Sequence, residues 1–170
     1  MYRSSIIAPD GTAIPSCVIR FICHIPTGML GFHGQGLYNS AKRMDGSGIY
    51  DDITNGREFL QGLQLFSDVG RAIFGWNFPM FLGVLMCAGP VLMAVGCIDL
   101  ALASLLLVGL IKQAKYAQSQ YGICGKLDDW NSDERNFFKE AHESNYFTAQ
   151  SPKQICGEMS TNWKVCLAVM

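Results

Sequence analysis

The chain has 170 residues, with 13 Lys/Arg against 14 Asp/Glu, a formal net charge of -1, 49% hydrophobic residues and 16% charged ones. The charged share is well below the roughly 25% of soluble domains, and no basic excess is present to grip nucleic acid or anionic lipid. The charges are also divided: residues 1–71 carry six of each sign, residues 112–170 seven of each sign, and residues 72–111 only Asp99.

Residues 1–55 read as a loop-rich N-terminal segment. The opening Met-Tyr-Arg-Ser-Ser-Ile-Ile-Ala-Pro-Asp-Gly is too short in its apolar part for a secretory signal, and Tyr2 excludes N-myristoylation. Pro9-Asp10-Gly11 is a turn signal that could close a short hairpin. Cys17–Cys23 is apolar, but its shortness, Arg20 and the adjacent His24 make it a poor membrane span. Gly28, Gly31, Gly34 and Gly36 follow Pro26, and Asp45-Gly-Ser-Gly48 comes next; both stretches read as loop.

Asn55 and Glu58 have the spacing of a capping box. Phe59, Leu63, Phe66 and Ile73 then recur at helical spacing, predicting an amphipathic helix over 56–75. The block 72–111 follows, punctuated by Pro79 and Pro90. As one straight helix it would reach about 60 Å, against a hydrocarbon layer of about 30 Å. One straight crossing is excluded. A membrane hairpin turning near Gly89-Pro90 is the first arrangement. A single crossing from Pro90, with 72–88 as a re-entrant or interfacial lead-in, is the second. Arg57 and Arg71 before the block and Lys112, Lys115 and Lys126 after it favour the hairpin, since it puts all five on one side. The positive-inside tendency names that side cytoplasmic or matrix.

Asp99 is the residue that most needs a reason, because a carboxylate at mid-bilayer costs roughly 2.5–3.5 kcal/mol even on the lenient insertion scale. In the hairpin, Asn77 and Asp99 lie at similar depths, so contact between them is expected, forming an intramembrane polar site. Gly83/Cys87 and Cys97/Ala101 have the small-residue spacing that permits close helix approach.

Residues 112–170 read as a polar helical C-terminal segment. Asn131-Ser-Asp-Glu134 opens a capped helix with Phe137, Phe138 and Ala141 as its apolar contacts. Ser151-Pro152-Lys-Gln154 opens another, with Ile155, Met159, Trp163, Cys166 and Met170 at helical spacing. That helix turns wholly apolar from Val165 and reads as a terminal docking helix, with a membrane span cut short as the alternative. Cys166 stands one residue too far from the end for prenylation. Seven cysteines cannot all pair within one chain. Cys124 and Cys156 form the candidate disulfide, although the charge placement weighs toward free thiols in a reducing compartment.

Catalytic and metal motifs are not legible. Cys17, Cys23, His24 and His33 match no compact zinc spacing. Gly34-Gln-Gly36 lacks the third glycine and the strand–turn–helix setting of a dinucleotide fingerprint. Tyr38 and Lys42 have a dehydrogenase-like spacing, but the preceding chain is too short for the Rossmann scaffold the pair would need. The residues therefore imply an all-α, small integral membrane protein with a helical hairpin at 72–111 and no cofactor. Its expected role is structural or in protein interaction, as a homo-oligomer or within a larger membrane complex. A transport or proton-handling component using Asp99 is the second reading. A soluble helical protein with a buried apolar hairpin is the third.

Overall fold

The computed structural model describes residues 13–53, 55–86, 89–120, 124, 137–147 and 151–170. Among them the fold is all-α, with no strand. Helix α1 is Ala13–Arg43, followed by a 3-10 turn at Met44–Ser47 and a short α2 at Ile49–Asp52; then come α3 (Gly56–Met86), α4 (Gly89–Gln120), α5 (Phe137–Glu143) and α6 (Pro152–Val169).

Within the described part of the N-terminal segment the loop-rich reading is corrected, because residues 13–43 form one continuous helix. Glycine costs about 1 kcal/mol per residue in a helix interior. Packing against α3 offsets the cost. A Cβ at Gly31 would stand 2.6 Å from the backbone nitrogen of Arg71, and one at Gly70 would stand 2.8 Å from the nitrogen of Gly31. Gly28 lies against the Phe74 ring, and Gly34 against the Asn162 side chain of α6. Gly31 and Gly70 are thus the point at which α1 and α3 touch backbone to backbone. Pro26 lies inside α1. Beside it, the Thr27 hydroxyl donates to the carbonyls of Cys23 and His24, both at 2.9 Å. The Pro9-Asp10-Gly11 turn lies outside the described residues.

Helix α3 begins where expected but does not stop at residue 75; it continues through Pro79 to Met86. Asn55 does not take the extended conformation of an N-cap, since it stands in the left-handed region at φ 60. The expected stripe is realised, with Phe59, Leu63 and Phe66 each at most 1% exposed. Helix α3 ends at Met86 and α4 begins at Gly89, next to Pro90. On either side of the break α3 and α4 pair in antiparallel register: Trp76 faces Asp99, Phe66 faces Gly109 and Gly62 faces Gln113. Lys112 donates to Gln61 in the same register. Helix α1 runs antiparallel to α3, from Cys17 opposite Phe81 to Gly34 opposite Ser67.

Helix α6 starts as its sequence states. The Ser151 Oγ accepts from the Gln154 N–H at 3.3 Å, and the Ser151 N–H donates to Gln154 Oε1 at 3.0 Å. Phe137, Phe138 and Ala141 of α5 are buried; the Asn131–Glu134 start lies outside the described residues. On α6, Ile155, Met159 and Cys166 are buried, whereas Met170 is exposed.

The bundle has two unlike halves. One is an aromatic-rich core in which Tyr50, Phe59, Phe137, Phe138 and Met159 are buried together, and the Tyr50 hydroxyl donates to the Ala41 carbonyl at 2.6 Å. At its surface Arg57 donates to Asp45 (2.7 Å) and to both oxygens of Asp51 (2.9 and 3.1 Å). The second half has a smaller core of Leu30, Phe66, Val69, Leu106, Leu110 and Cys166, and its outer surface is apolar. Ile25 is 70% exposed on α1, Phe78 74% on α3, and Met93 75% on α4. Pro90–Ala114 is the one described stretch long and apolar enough to cross a membrane, and only 11% of its most apolar window is buried.

Candidate functional site

The lone charge of the apolar block has a cation beside it. Arg20, on α1, donates through Nη2 to Asp99 Oδ2 on α4, closing an ion pair across the bundle. Its Nη1 donates to Asn77 Oδ1 on α3 at 2.9 Å. The indole N–H of Trp76 donates to Asp99 Oδ1 at 2.9 Å. One guanidinium and one carboxylate thus join three helices. The Arg20 side chain is 10% exposed and that of Asp99 39%.

The expected Asn77–Asp99 site is therefore organised differently from the sequence reading. The two residues lie at one level of the bundle, but each binds the same guanidinium. Arg20 and Trp76 are the members that sequence reasoning missed. A signal for Arg20 existed: Asp99 in an apolar run needs a counter-charge, and Arg20 sits in the apolar Cys17–Cys23 run. In the sequence that arginine argues against a membrane span at Cys17–Cys23; in the fold a partner 79 residues away neutralises it.

Two hollows share Arg20 and Asn77 in their walls. The larger, about 600 Å³, opens between α1, α3, α4 and the end of α6, with Ile19, Cys23, Ile73, Leu102, Ala103 and Met170 among its lining. The smaller, about 170 Å³, is walled by Phe21, His24, Phe78 and Phe81. His24 stacks on Phe74 with ring centroids 4.2 Å apart, and Phe21 meets Phe81 at 5.6 Å. The Cys17 thiol donates to the Phe81 carbonyl at 3.2 Å. Among the described residues, no three His, Cys, Asp or Glu side chains gather where they could hold a metal ion.

The Arg20 Nε–H has no protein partner although it is buried. A second set of buried polar atoms without partners lies toward the aromatic half: the Ser67 hydroxyl, both amide atoms of Gln113 and the Asn162 amide nitrogen. Neither set was visible in the sequence, because burial of a polar side chain depends on helices distant in the chain.

Cys124 and Cys156 are joined by a disulfide with Cα atoms 5.6 Å apart. The weighting toward free thiols at this pair is corrected; folding brings α6 to Cys124, which charge placement could not indicate. Cys17, Cys23, Cys97 and Cys166 are free. At the polar end, Arg57 holds the Asp51 carboxyl below its ordinary value of 3.8, first by hydrogen bonding and then by charge, and Asp51 and Asp45 in turn hold the Arg57 guanidinium more firmly protonated.

Comparison with protein-family models, with curated proteins and with solved structures found no match.

Proposed function

We propose that the chain is a small α-helical integral membrane protein with a structural or protein-interaction role, the end of α3 and α4 forming its membrane hairpin, α1 packed against them, and Arg20 and Asp99 as an internal clamp. The observation that carries this is the pairing of opposite charges between helices whose outer side chains are apolar. A lone Arg20 or Asp99 would oppose insertion by several kcal/mol, whereas the pair has no net charge. Large apolar side chains such as Ile25, Phe78 and Met93 stand exposed on α1, α3 and α4, and lipid is a solvent that suits them. In this reading α3 and α4 are the two legs of the hairpin.

The disulfide supports an orientation opposite to the one inferred from the lysines and arginines. Disulfides persist in oxidising compartments, and Cys156 belongs to the aromatic half. That half would face the lumenal or external side, and the break at 86–89 the reducing side. The flanks carry as many acidic as basic residues, so the positive-inside bias is weak here.

Carbonate extraction tests membrane residence. Retention in the pellet is expected; release into the supernatant would favour the soluble reading with a buried apolar core. Maleimide labelling of closed vesicles, with and without reductant, tests orientation through Cys124 and Cys156.

A transport or proton-handling role centred on Asp99 is the second reading, favoured by the hollow of about 600 Å³ at its side. Both Asp99 oxygens are engaged, which supports a clamp over a carrier. Under the transport reading Asp99→Asn would abolish activity and leave insertion intact.

A further inference from the structure

We propose that the Cys124–Cys156 disulfide is a redox latch on α6, and that its reduction releases α6 from the bundle and uncovers the Cys166 thiol. The latch operates with or without a surrounding membrane. Little of the docked face of α6 is apolar packing. Of its buried residues, Ile155, Cys156, Met159, Ser160, Asn162 and Cys166, only Ile155 and Met159 are large apolar side chains. Two polar atoms of α6, the Asn162 amide nitrogen and the Trp163 indole nitrogen, are buried without a hydrogen-bond partner. A buried donor without an acceptor costs the docked state, and release returns it to water. Leu167, half-exposed, adds little to docking.

The disulfide offsets this weak seam. It ties Cys156, near the start of α6, to Cys124, just beyond the end of α4 at Gln120. The latch opens by thiol–disulfide exchange with a dithiol. Cys124 is half-buried and Cys156 buried, so the thiolate of the dithiol attacks the Cys124 sulfur. The S–S bond breaks, and Cys156 leaves as a thiolate and takes up a proton. The second thiol of the reductant then displaces Cys124, which takes up the other proton. Two electrons and two protons pass from the dithiol, which ends as its own disulfide. Release acts at two places. Val169 and Met170 leave the wall of the hollow of about 600 Å³ beside Arg20. Cys166, buried in the docked helix with its thiol pushed up to about 12 by burial, comes into water, where its ordinary value is 9.0.

Cys166 is the reporter, since its docked thiol is both covered and protonated at neutral pH. The full chain in detergent micelles is treated with dithiothreitol, desalted without oxygen and pulsed with N-ethylmaleimide. Peptide mass spectrometry then reads the alkylation of Cys166. That alkylation should be at least about tenfold faster after reduction than before. Cys124→Ser with Cys156→Ser should show the same fast rate without reductant. Amide exchange of α1 and α3 should stay unchanged, which marks release of α6 alone. Equal Cys166 rates before and after reduction overturn the proposal. So does a rise matched by lost protection across α1 and α3, because the chain would then be unfolding as a whole. Reduced wild-type chain keeps the test decisive where the double variant does not fold.

Discussion

At the scale of single residues, Arg20 and Asp99 carry the clearest expectation. Each is tolerable because the other is present. Removing one leaves a charge unpaired, and breaking a buried pair costs about 3–5 kcal/mol. Arg20 is the more buried partner, so Asp99→Leu should destabilise more than Arg20→Met. The double variant should regain most of the loss, since two apolar side chains need no counter-charge. A double-mutant cycle measured by unfolding in detergent micelles checks this; additive losses would show that the two side chains do not act as a pair. Asp99 could be singled out from sequence as the one charge in the apolar block 72–111. Arg20 could not be assigned to it, because its local setting gave no sign of which helix would lie alongside.

At the scale of elements, helix contacts depend on missing side chains as much as on present ones. At Gly31 a Cβ would already meet the Arg71 backbone at 2.6 Å, and backbone cannot move aside as a flexible side chain can. Gly31→Leu should therefore push α1 from α3 at a cost of about 1–3 kcal/mol or more. Gly36→Leu, at a position with open space around it, should cost much less. Thermal midpoints of the two variants check the contrast. The turn joining α1 to α3 has a different kind of restraint, in which Arg57 holds Asp45 and Asp51. Asp51 has its carboxyl held low, so its contribution is fully present above the ordinary value of 3.8 and is lost as pH falls below it. Both groups are at the surface, so the effect is modest and screened by salt. An acid titration of stability should lose part of its slope in Asp51→Asn.

At the scale of the molecule, the two halves have different cohesive forces. The aromatic half buries its apolar groups as a water-soluble core does, and the Cys124–Cys156 bond closes a chain separation of 32 residues onto it. By loop entropy that bond contributes about 3–4 kcal/mol. Reduction should lower the unfolding midpoint of the aromatic half and slow migration on a denaturing gel. Cys124→Ser with Cys156→Ser should reproduce the unfolding change without reductant. The apolar half, with its outward Ile, Phe, Met and Leu side chains, relies on glycine contacts and the Arg20–Asp99 pair. An unfolding transition of the whole chain that ignored reductant would contradict this division.

Residue order by itself determined what depends on near neighbours. It specified the all-α class, the α6 capping box, the buried stripe of Phe59, Leu63 and Phe66, and the interruption of the apolar run beside Gly89-Pro90. These follow from hydrogen bonding and side-chain period within a few turns of chain. Only the tertiary structure decided what depends on distant neighbours. Glycines 28, 31 and 34 lower local helix propensity and read as loop until α3 packs on them. Asn77 and Asp99 were expected to meet each other, and they meet instead at Arg20, because the cation comes from a helix the local reading did not contain. Cys124 and Cys156 are bonded because the fold brings them together, which charge balance along the chain could not report.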